Sequence, residues 1–169
     1  SYLTSDGKPL THGVSWRVFK ASAWPAKLVE ASRAASPTFE VPPGRYIINA
    51  AYGLAYLTRV IDIPGGRATK EPFVINAGGL RIFATMADGS EAPPASVSYD
   101  IYSDDRDQQG SRLRVLANAT PGRIVRLNSG IYRIVSTMGD ANAVMTAEVT
   151  VEAGKLTEAS FAHDAGKCT

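Results

Sequence analysis

The stretch Asp104-Asp105-Arg106-Asp107-Gln108-Gln109-Gly110 begins with the carboxylate spacing of a calcium loop. Such loops need oxygen ligands at alternate positions and a bidentate carboxylate at the twelfth. Counted from Asp105, the fifth position is Gln109 and the twelfth is Leu116, so a solvated loop between strands is the better reading. His163-Asp164 beside a serine suggests part of a catalytic triad. Neighbours on a strand point to opposite faces, however, which arranges this pair badly for mutual orientation. His12, between Thr11 and Gly13, sits in a turn, and both histidines read as ordinary surface or edge residues. The single cysteine, Cys168, has no partner, which excludes a disulfide framework or a cysteine metal cluster within the chain. Glycine-rich phosphate loops, spaced histidine pairs and Cys-x-x-Cys motifs are absent. No catalytic residue, metal ligand or cofactor is expected.

Binding chemistry is better represented. Arg112 and Arg114 share a strand face, with Arg123 and Arg126 further on, and could meet an anionic partner. The competing and preferred reading is that Asp104, Asp105 and Asp107 neutralise them. Trp24 lies in a loop-like stretch, Tyr52 at a hairpin tip and Tyr56 just beyond it. Exposed rings there would stack on sugars or anchor a protein interface. Trp16, Tyr46 and Tyr132 belong instead to cores, because Tyr46 and Tyr132, like Trp16 and Tyr99, fall at equivalent places in an internal repeat.

That repeat organises the chain. Val-Pro-Pro-Gly-Arg-Tyr-Ile-Ile-Asn-Ala-Ala-Tyr-Gly over residues 41–53 returns as Leu-Asn-Ser-Gly-Ile-Tyr-Arg-Ile-Val-Ser-Thr-Met-Gly over 127–139. Val14-Ser15-Trp16-Arg17-Val18-Phe19 returns as Val97-Ser98-Tyr99-Asp100-Ile101-Tyr102, and Phe73, Ala77 and Gly78 as Phe161, Ala165 and Gly166. The offset drifts from 82 (Asp6 to Asp88) to 88 (Phe73 to Phe161), which places the insertions in loops, where added length costs little entropy. Apolar alternation and glycine punctuation are what survive, as a duplicated β-domain requires.

Strand signals dominate both copies. Residues 14–20 alternate; 45–52 and 54–63 read as a hairpin, with a twin at 132–137 and 144–151; 71–75 and 158–162 read as the closing strands. Residues 27–33 have helix-forming composition, but their counterpart around Arg112 to Leu116 alternates, so a strand is favoured. The expected domains are residues 1–78 and 79–169, the second copy opening at Leu80. By the alignment, residues 167–169 read as the opening of a third repeat, and the chain as a piece of a longer array.

A strand, Pro-Pro-Gly-Arg-Tyr or Asn-Ser-Gly-Ile-Tyr, a hairpin and an Ile-x-Ile or Val-x-Val strand closed by glycine resembles the prealbumin-like β-sandwiches. Carboxypeptidase regulatory-like domains and the collagen-binding B-type repeats of bacterial surface proteins are of this kind. The motifs Asn76-Ala77-Gly78-Gly79-Leu80-Arg81 and Ser136-Thr137-Met138-Gly139-Asp140-Ala141-Asn142-Ala143 are similar to those of uncharacterised exported proteins of alphaproteobacteria. The resemblance implies a leader peptide, a periplasmic or envelope location and further domains downstream. It implies no activity. B-type repeats often carry a Lys–Asn or Lys–Asp amide bond. Here Asn76 and Asp164 would end the last strands, but the opening strand of copy two offers Arg81, which cannot serve as the amine.

Bulk properties agree with this reading. Across 169 residues, 44% are hydrophobic and 20% charged, which suits folded domains rather than disorder. The net charge of +2 gives no argument for nucleic acid, and no apolar run is long enough to span a membrane. The halves differ mildly: residues 1–78 hold nine Lys/Arg against five Asp/Glu, +4, and residues 79–169 nine against eleven, −2. The expectation is therefore an all-β chain of two tandem antiparallel Ig-like, prealbumin-like β-sandwich domains without catalysis. It would act as a structural or protein-interaction module binding a protein or cell-envelope component, or alternatively as a carbohydrate-binding module.

Overall fold

A computed structural model describes residues 1–22, 24–86, 88–139 and 143–163. The end of the turn expected at 139–142, the third-repeat reading at 167–169, and Asp164 lie outside the described residues. Among the described residues eleven strands follow one another: β1 Val14–Lys20, β2 Lys27–Ser32, β3 Gly44–Tyr52, β4 Ala55–Ile63, β5 Ala77–Met86, β6 Val97–Arg106, β7 Arg112–Ala119, β8 Ile124–Asn128, β9 Gly130–Met138, β10 Ala143–Val151 and β11 Leu156–His163. One 3₁₀ turn, Pro94–Ser96, precedes β6, and no α-helix occurs among the described residues. The fold is all-β, and its two four-stranded sheets are antiparallel, consistent with a β-sandwich.

The chain divides into two compact units, Ser1–Ala77 with Arg126–Asn128, and Gly78–Val125 with Ser129–Thr169. In the first, one sheet runs in the order β2-β1-β3-β4. Alternation explains its sidedness: Val14, Trp16 and Val18 are buried, while Ser15 and Arg17 between them are exposed. Trp16 meets Phe73 edge-on, ring centroids 5.1 Å apart, beside Ala50, Ile61 and Ile75. Burying a ring such as Phe73 contributes roughly 1.5–3 kcal/mol. The Tyr46 hydroxyl donates to the Pro42 carbonyl at 2.8 Å, giving the buried ring's polar tip a partner. Residues 27–32 form a strand despite their helical composition, because β1 offers them a ladder to pair with.

The second unit has a sheet in the order β10-β9-β6-β7. Tyr99 packs against Phe161 at 5.9 Å, where the first unit sets Trp16 against Phe73. A three-stranded sheet, β11-β5-β8, completes the set. Here the antiparallel expectation needs correction: β5 and β11 pair in parallel, from Gly79 with Leu156 to Met86 with His163. The opening strand also starts earlier than Leu80, at Ala77. Its glycines are required by close approach, since a side chain on Gly78 would put Cβ 2.2 Å from the Glu152 carbonyl oxygen.

The closing strand expected at 71–75 is reduced to single bridges. Tyr2 pairs in parallel with Val74, and Tyr2 also bridges Pro9. Pro72 has no N–H to donate, which limits any longer ladder there.

Candidate functional site

The β1–β2 and β3–β4 hairpins position the aromatic candidates. Trp24 stands between β1 and β2 with 96% of its surface exposed. Tyr56 is 60% exposed on β4. Tyr52 is not the free ring expected of it: it is only partly exposed, packs on the core, and lies beneath the Arg126 guanidinium at 4.6 Å. The register decides the rest. Tyr52 pairs with Ala55 and Ala51 with Tyr56, so Tyr52 and Tyr56 point to opposite faces of the sheet. They cannot form one coplanar platform.

The face that carries Tyr56 shows a different feature, one that depends on cross-strand register and is not legible along the chain. Phe19 pairs with Leu28 on one side and Ile47 on the other, and Ile47 pairs with Val60. These four align in one row across all four strands. Leu28 and Val60 are 50% and 60% exposed. Placing Leu28 in the row requires the bulge between Val18 and Phe19, which leaves Val29 as the extra residue. In the second unit the corresponding row is Arg114, Tyr102, Arg133 and Glu148. The same place is apolar in one unit and charged in the other.

Arg112 and Arg114 are held by carboxylates. Arg112 donates to Glu148 at 2.7 Å and contacts Asp104 at 3.0 Å, its side chain only 12% exposed. Arg114 meets Asp100 at 3.3 Å. Of the acidic residues expected to neutralise them, only Asp104 does so. Asp107 instead accepts backbone N–H bonds from Gln109 and Ser111, at 3.0 and 2.8 Å, and so shapes the turn. No cluster of metal-ligating side chains occurs among the described residues. Arg81 is ion-paired with Glu158.

His163 corrects its expected surface placement. It is 1% exposed, and its Nε2 lies 2.7 Å from the hydroxyl of Ser136, itself fully buried. Phe161 and His163, two apart on β11, share the inward face, which accounts for the burial. Tyr99 pairs with Ser136 across β6 and β9. Burial pushes the Tyr99 phenol up to about 12; the nearby Ser136 hydroxyl offsets part of this and the charge of Glu91 adds to it. The Tyr99 hydroxyl and His163 Nδ1 have no hydrogen-bond partner among the described residues. A Ser–His pair at bonding distance has the first two members of a triad. The pair is buried, and no carboxylate meets His163 Nδ1 among the described residues. Leu127-Asn128 contributes to the first unit: the Asn128 amide donates to Tyr56 and Ile75 carbonyls at 3.0 and 2.9 Å and accepts from the Tyr56 N–H at 3.1 Å. Arg126 accepts from Leu54 N–H at 3.0 Å. The outer edge of β4 is thereby partly occupied.

No protein-family model matches the chain, and neither does any curated protein or solved structure.

Proposed function

We propose that this chain is a non-catalytic protein-interaction module of an exported bacterial protein, located in the periplasm or cell envelope and built as two tandem prealbumin-like repeats. The observation that carries the interaction reading is the row Leu28–Phe19–Ile47–Val60. The second unit keeps the same strand order with charge in that row, so the apolar side chains are not a requirement of the sheet. Leu28 and Val60 are exposed and Phe19 and Ile47 partly so, and an apolar row open to solvent is a common mark of a contact surface. The tandem-repeat reading draws support from the matching sheet orders, the matched Trp16–Phe73 and Tyr99–Phe161 pairs, and the parallel pairing of each unit's first and last segments. The interaction needs no cofactor.

The test is affinity capture from an envelope fraction, comparing the wild type with Leu28→Glu/Val60→Glu. Both positions are exposed, and each substitution should change stability by no more than about 0.5 kcal/mol. A discrete protein lost in the double variant supports the reading. Equal retention of every bound species by both proteins removes the row from it, and retention of glycan alone, lost on Trp24→Ala, replaces it with sugar binding.

A further inference from the structure

Resting on the tandem-repeat part of that reading, we infer that the outer edge of β10 receives an asparagine-bearing segment of a further repeat, as the outer edge of β4 receives Arg126-Leu127-Asn128. By sequence, residues 126–128 belong to the second copy, yet they fold with the first unit. The Asn128 side chain stands in for a strand. Its Oδ1 accepts from the Tyr56 N–H at 3.1 Å, and its Nδ2 donates to the Tyr56 carbonyl at 3.0 Å. Exchanging both bonds with one residue is what a hydrogen-bonded antiparallel partner does. The Leu54 N–H adds a bond to the Arg126 carbonyl at 3.0 Å.

β10 is the counterpart of β4. Both strands have nine residues, Ala55–Ile63 and Ala143–Val151, and both end their sheets. Tyr56 pairs with Ala51 as Val144 pairs with Thr137, one step from the first pair of each hairpin. Val144 therefore turns its N–H and carbonyl outward, as Tyr56 does. The Thr150 carbonyl, of the same alternate set, bonds outside the β9 ladder to the Thr157 hydroxyl at 3.1 Å.

Occupancy is what differs. A Cβ on Gly53 would lie 2.8 Å from Arg126 Cβ, whereas one on the equivalent Gly139 would meet nothing within 4 Å among the described residues. Met145 and Ala147 are exposed where their counterparts Leu57 and Arg59 are half-buried. β10 also lacks the usual guards of an open edge. Its ladder with β9 runs without a bulge, it holds no proline, and its one charge, Glu148, is paired with Arg112 and Arg133.

The clamp selects the occupant. It requires an extended segment with a side-chain amide, which Asn128 supplies to β4. A second copy of this chain does not offer one, because its own residues 126–128 are engaged on β4. The corresponding segment of copy one, residues 40–42, ends in Pro42, which has no amide side chain. A following repeat patterned on copy two has the segment free to give. Docking of the same kind then recurs from repeat to repeat, as in other stacked arrays.

The experiment titrates the full chain with a peptide of residues 122–130, Gly-Arg-Ile-Val-Arg-Leu-Asn-Ser-Gly, and follows backbone amides by NMR. At millimolar peptide, shifts should concentrate at residues 143–145, while residues 54–56, already clamped, stay unmoved. The same peptide with Asn128→Ala should bind about tenfold more weakly or worse, since both bonds to one residue are lost. So should the Val144→Pro chain, which loses the docking donor but no ladder bond; proline is tolerated where an edge N–H faces solvent. Circular dichroism checks the fold of that chain, and the Asn128→Ala peptide tests the clamp with the protein unchanged. No shifts, shifts centred away from 143–145, or equal binding of the Asn128→Ala peptide overturns the inference. If it is overturned while envelope capture still depends on Leu28 and Val60, the interaction reading stands without this docking. If capture fails and the peptide binds as expected, the docking stands and the apolar row is withdrawn.

Discussion

The first unit buries Trp16, Ala50 and Ile75 where the second buries Tyr99, Ser136 and His163. The strand order is the same and the aromatic partner, Phe73 or Phe161, is the same. One core is apolar at Ala50 and Ile75 and has the indole N–H of Trp16, which donates to the Ala34 carbonyl at 3.1 Å; the other carries a polar group at each place. The difference teaches that the fold demands volume and inward direction at these positions, not apolarity. Ser136 and His163 Nε2 satisfy each other, while the Tyr99 hydroxyl and His163 Nδ1 are buried without a partner among the described residues. The surfaces reverse the contrast, with the first unit apolar across its outer row and the second charged. A scaffold that accepts either chemistry leaves the choice to function.

Truncating the shared anchors tests the equivalence most severely. Phe73→Ala and Phe161→Ala should each cost about 3–5 kcal/mol, because each leaves a cavity beneath its neighbouring ring. Chemical denaturation of the two variants checks this; a value near zero for Phe73 would mean that the first unit's single-bridge closure leaves the ring unneeded.

A smaller effect sharpens the polar contrast. Ser136→Ala strands His163 Nε2 and should cost about 1–3 kcal/mol. Ser136→Ala/His163→Ile, which installs the residue types of the first unit, should recover most of that loss, because both partners become apolar together. Denaturation of the single and double variants measures the coupling, and a double variant weaker than the single would break the comparison.

The smallest effect is confined to alkaline solution. A phenol titrates near pH 10 in an unfolded chain, whereas burial holds Tyr99 at about 12. The unfolded state therefore releases its proton first. The stability linked to this group is complete below about pH 10 and is lost as pH rises toward 12. Denaturant midpoints of wild type and Tyr99→Phe should diverge as pH rises across this range, the wild type falling while the phenylalanine variant, with no proton to lose at this position, does not. Trp16, at the equivalent place, has no proton to lose.

Local pattern made the strands legible. The alternation of Val14, Trp16 and Val18 gave their burial in advance, and the repeated tyrosines Tyr46 and Tyr132 were correctly read as core. For residues 27–32, comparison with the other copy outweighed a helical composition. The candidate site was far less legible. Trp24 and Tyr56 are exposed as expected, but the opposite facing of Tyr52 and Tyr56 depends on cross-strand pairing.

The sequence by itself determined which residues alternate, where glycine turns the chain, and that two stretches share one pattern, because these are properties of neighbours along the backbone. Only the tertiary structure decided the parallel pairing of β5 with β11, the bulge that brings Leu28 into line with Phe19, Ile47 and Val60, and the meeting of Ser136 with His163. Each joins residues on different strands, and a single register step would send every one of those side chains to the other face.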